Sequence, residues 1–145
     1  MSVEFNKFTT YFETIGLAEP LKQKVFEIWK AVEIICPEPL LDLFVCDYLT
    51  QDRVRKYEGL FIFSEKYLIE IENFISTGEM GIIRIADQRK TLQFQYKNYD
   101  FSAATTDSEL SITLYIISDS WRSYFKSSGL NCDKLLELSK KYFIN

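Results

Sequence analysis

The chain of 145 residues contains no histidine. That excludes Ser–His–Asp and Cys–His nucleophilic machinery, and it removes the imidazole ligands on which catalytic zinc usually depends. Catalysis through carboxylates, Lys, Tyr or Mg²⁺ stays open, so the absence tilts the reading away from an enzyme without closing that class. Cysteine is scarce too. Cys36, Cys46 and Cys132 are odd in number and match no zinc or redox spacing. They read as reduced, buried thiols in a reducing, cytoplasmic setting. No motif implies a metal or cofactor. No apolar run reaches the roughly 18–20 residues of a membrane span. The opening MSVEFNKF carries Glu4 and Lys7 inside its apolar pattern, unlike a secretory leader. Positive charge is short as well, with 17 basic against 21 acidic residues. Nucleic-acid binding needs a basic stripe to displace counterions, and this balance argues against it. The acidic excess belongs to residues 1–50, where four Lys face eight acids, whereas the remainder balances at 13 against 13.

Apolar surface is abundant. Hydrophobic residues make up 47% of the chain, with 12 Phe, 9 Tyr and 2 Trp. A chain of this size and composition can bury a core without disulfides or metals. The length predicts a single domain over 1–145. The aromatic surplus exceeds what one small core needs, which points to a protein partner or to self-association.

The hydrophobic period changes along the chain. Phe5, Phe8, Phe12 and Ile15 share a helical face over 3–15, with Ser2 placed to cap the start and Gly16 the end. Residues 20–36 form a second helix, with Pro20 in its first turn, an apolar stripe that includes Trp29, and Pro37 and Pro39 as the stop. The segment LLDLFVCDYL (40–49) suits either a helix or a strand, and its Phe-Val-Cys-Asp-Tyr core favours the strand. Strands then follow closely at 54–63, 67–74, 80–86, 91–98, 99–104 and 110–117. Alternation such as YLIEIENF sets Glu70 and Glu72 on a wet face, so the sheet should be antiparallel. Trp121, Tyr124 and Phe125 repeat at helical spacing, with Gly129 ending that turn, and Asn131 or Asp133 can cap a last helix. The fold class is therefore α+β. A helical hairpin over 1–36 packs on a β-rich body, 40–145, closed by a C-terminal helix.

Seven strands followed by a helix is similar to the pleckstrin-homology-like barrel over about residues 40–143. RKYEGLFIFSEKYLIEIENF (55–74) resembles its early hairpin, and LSITLYIISDSWRSYFKSS resembles the last strand leading into the closing helix. The resemblance implies a β-barrel, and it implies that Arg53, Arg55 and Lys56 on the first hairpin are placed to meet an inositol phosphate or membrane lipid headgroup. The alternative role for these three is a solvated, charge-protected strand edge. Trp121, Tyr124 and Phe125 are candidates for docking a partner, or for packing a helix over the sheet. No catalytic residue is assigned. The leading reading is a non-enzymatic binding module acting on protein. The alternative is a small-molecule or lipid-binding domain with an apolar pocket, with His-free catalysis left open.

Overall fold

Aromatic residues shape the first elements. Phe5 and Phe8 lie in a 3-10 turn, Phe5–Phe8, which runs into the short helix α1, Thr9–Thr14. Gly16 then turns the chain with φ 69°, a left-handed conformation that glycine adopts freely. Helix α2, Glu19–Ile35, starts with Pro20 in its first turn and buries Val25, Ile28, Trp29 and Val32 as one stripe. The computed structural model describes residues 2–50, 52, 54–72, 74, 83–87, 93–100, 110–117 and 122–143, with side chains except at 83–87, 93–100, 110–111, 115–117 and 122–123.

Among the described residues seven strands follow: β1 Leu40–Leu49, β2 Arg55–Ser64, β3 Tyr67–Ile71, β4 Ile83–Asp87, β5 Gln93–Asp100, β6 Leu110–Ile117 and β7 Arg122–Ser128. Helix α3, Asn131–Tyr142, ends the described chain. The strands form two sheets, ordered β1-β2-β3-β4 and β5-β6-β7. The pairs β2–β3, β5–β6 and β6–β7 are antiparallel. The fold is α+β, as the hydrophobic periods predict, and 40–49 is a strand. Among the described residues no pairing closes the sheets into a barrel.

Two local expectations are corrected. Residues 122–128 are not a helix but the strand β7. Tyr124 is exposed, Phe125 buried, Lys126 half-buried and Ser127 buried, which is the two-residue period of a strand. Glu70 is not on a wet face. It lies opposite Phe61 in β3, between β2 and β4, and is only 7% exposed, while Glu72 is exposed. The anticipated strand 99–104 is represented by Tyr99 and Asp100 at the end of β5, and 101–104 lie outside the described residues.

The chain divides into two compact units. The first comprises Met1–Val45 and Glu58–Ala86, the second Cys46–Tyr57 and Asp87–Asn145. The N-terminal helices therefore share a unit with strands, and the division runs through β1 and β2. In the first unit the rings of Phe5, Phe8 and Trp29 meet edge to face at 5.3–6.0 Å, the arrangement that the ring quadrupole favours. Tyr11 accepts from the Val45 N–H at 3.0 Å, and the Val3 N–H donates to the Leu40 carbonyl at 3.0 Å. Both bonds tie the N-terminal segment to β1. Glu38 fastens the β2–β3 turn by accepting from the Ser64 hydroxyl and the Lys66 N–H, each at 2.5 Å. In the second unit α3 packs on β7 and β6. Leu135 and Leu138 of α3, Ile112 and Leu114 of β6 and Phe125 of β7 are all buried there. Phe125 meets Phe143 at 5.9 Å.

Candidate functional site

The second unit contains a buried ionic group. Asp47 sits near the end of β1, in an apolar stretch that would leave a lone carboxylate without solvation. It is 0% exposed. A buried charge persists only when it is paired and hydrogen-bonded, and four donors converge on it. The Ser128 N–H donates to Oδ1 at 3.0 Å and the Asn131 Nδ2 to the same oxygen at 2.6 Å. The Ser128 hydroxyl and the Arg55 Nε serve Oδ2, the latter at 3.2 Å.

Three elements supply these partners. Arg55 opens β2, Ser128 closes β7, and Asn131 is the first residue of α3. Gly129, between the last two, adopts φ 56° and lets the chain reverse from strand to helix. Asp47 thus acts as a hub that holds the β7–α3 junction against the end of β1. Burial pushes its carboxyl up from the usual range, against the opposing pull of Ser128, Asn131 and Arg55.

A carboxylate beside a serine and a cysteine invites a catalytic reading, which the exposures oppose. Ser128 is 0% exposed and Cys132 1%. Burial also raises the Cys132 thiol, opposed by the Ser127 hydroxyl, so little thiolate forms at neutral pH. The Ser127 hydroxyl donates to the Ile112 carbonyl at 2.9 Å and lies 3.3 Å from Cys132 Sγ. Among the described residues no group of three or more His, Cys, Asp or Glu side chains could hold a metal ion. Among them also, no helix is long and apolar enough to cross a membrane.

The surface beside the hub is different in character. Tyr48 follows Asp47 on β1 and points the other way, 40% exposed. Lys126 Nζ sits 5.6 Å from the Tyr48 ring centroid, a cation–π contact. Tyr124, two residues before Lys126 on β7, shares its face and is 50% exposed. Cys46 Sγ reaches the Tyr124 carbonyl at 3.9 Å. Cys46, Asp47 and Tyr48 thus each touch a residue of 124–128, and Lys126, which meets Tyr48 and shares a face with Tyr124, joins the two tyrosines in one exposed row.

The structure places the sequence candidates unevenly. Arg55 is committed to Asp47, and it also hydrogen-bonds Tyr57, whose hydroxyl burial raises. Lys56 is exposed, and Arg53 lies outside the described residues. Tyr124 is on the surface row, Phe125 is turned inward on the opposite face of β7, and Trp121 lies outside the described residues. Asp47, Ser128 and Tyr48 are not site candidates from sequence, and Asn131 appears there as a helix cap alone. The available signal was an acid inside LLDLFVCDYL, a position that requires partners once the strand is buried. No family model, no curated protein and no solved structure matches this chain.

Proposed function

We propose that this chain is a non-enzymatic protein-interaction module. The observation that carries this reading is the row Tyr48–Lys126–Tyr124. Tyrosine offers a large, stiff contact area with a polar tip, and it is enriched where binding energy concentrates. The row also has rigid support. Asp47 anchors the strand that carries Tyr48, and Ser128 ends the strand that carries Tyr124 and Lys126. A preorganised surface loses less entropy on binding than a mobile one.

A phosphoinositide reading has less support. Its forked donor, Arg55, is engaged with a carboxylate, which leaves Lys56 as the exposed cation of the pair described. The test is a direct affinity measurement on a purified partner, comparing the native chain with the Tyr48→Ser/Tyr124→Ser variant. Loss of two interfacial tyrosines should weaken binding about thirtyfold or more, with the melting temperature nearly unchanged. Strong stabilisation by a metabolite or lipid, with no protein partner affected by the substitutions, would replace this reading with the small-molecule one.

A further inference from the structure

We draw no further inference here: the strongest candidate, the exposed apolar patch that Ile34 and Ile35 make at the C-terminal end of α2, 85% and 51% exposed, carries none because nothing in the structure shows what covers it.

Discussion

Replacing Asp47 with Ala removes an acceptor that four donors share. Ser128 N–H, Ser128 Oγ and Asn131 Nδ2 are buried, so no water can take over. Each stranded buried donor costs about 1 kcal/mol at the low end, which gives about 3 kcal/mol. Arg55 adds less, because its side chain is 26% exposed and regains water. A total of about 3–4 kcal/mol agrees with the usual cost of breaking a buried ion pair from one side. For a chain of this length that corresponds to a drop of about 10 °C in Tm. Urea unfolding followed by circular dichroism measures the loss. Amide exchange at Ser128 localises it, since that N–H is bonded to the carboxylate and should lose its protection. Asp47→Asn should cost about half as much. It keeps one oxygen for the Ser128 N–H and Asn131 but turns an amide NH₂ toward Arg55. An Ala variant within about 0.5 kcal/mol of the native chain, with Ser128 still protected, would refute the hub.

Three further outcomes follow from the same geometry. The folded-state pKa of Asp47 is raised, so its contribution is fullest below the unfolded value of about 3.9 and declines as pH rises through the folded value; the stability difference between the native chain and Asp47→Asn should shrink from pH 4 toward neutrality in urea titrations, and a widening difference would contradict the assignment. Gly129→Ala forces a Cβ into a left-handed backbone at φ 56° and should cost about 1 kcal/mol by urea unfolding, while an unchanged midpoint would show that the junction relaxes. Cys36, Cys46 and Cys132 are buried thiols outside any disulfide, so a thiol reagent should label the native protein slowly and the urea-unfolded protein at all three positions, whereas rapid native labelling would mean that one thiol is accessible.

Local pattern carried most of the secondary structure. The β-favouring core of LLDLFVCDYL marks β1, and LSITLYII corresponds to β6, Leu110–Ile117. Pro20 and the stripe around Trp29 mark α2, whereas the expected side-chain cap of α3 is not formed: Leu130 holds the cap position and Asn131, the first helical residue, donates to Asp47 instead. The helical spacing of Trp121, Tyr124 and Phe125 hides β7 in the sequence. The residues themselves favour sheets, and it is pairing with β6 that decides the segment. The burial of Glu70 is not legible because alternation reports polarity along one strand and says nothing of what covers it. The hub was least legible. Asp47 meets Ser128 and Asn131 across 81 and 84 positions of sequence, a separation that no periodicity reports. Arg55 reads from sequence as a cation for a ligand, but its partner lies on the preceding strand, and that pairing makes it a structural group. Tyr124, a docking candidate from sequence, is exposed on a strand and not on a helix.

The central claim is that the Tyr48–Lys126–Tyr124 row meets a protein partner. Site-specific photocrosslinking in the source cell tests it most directly, with a photoreactive phenylalanine analogue placed at position 48 or 124 and, as a control, at exposed Glu13 in the first unit. The account predicts a discrete protein adduct from positions 48 and 124 and none from position 13. No adduct from either tyrosine position, or the same adducts from all three, would contradict it.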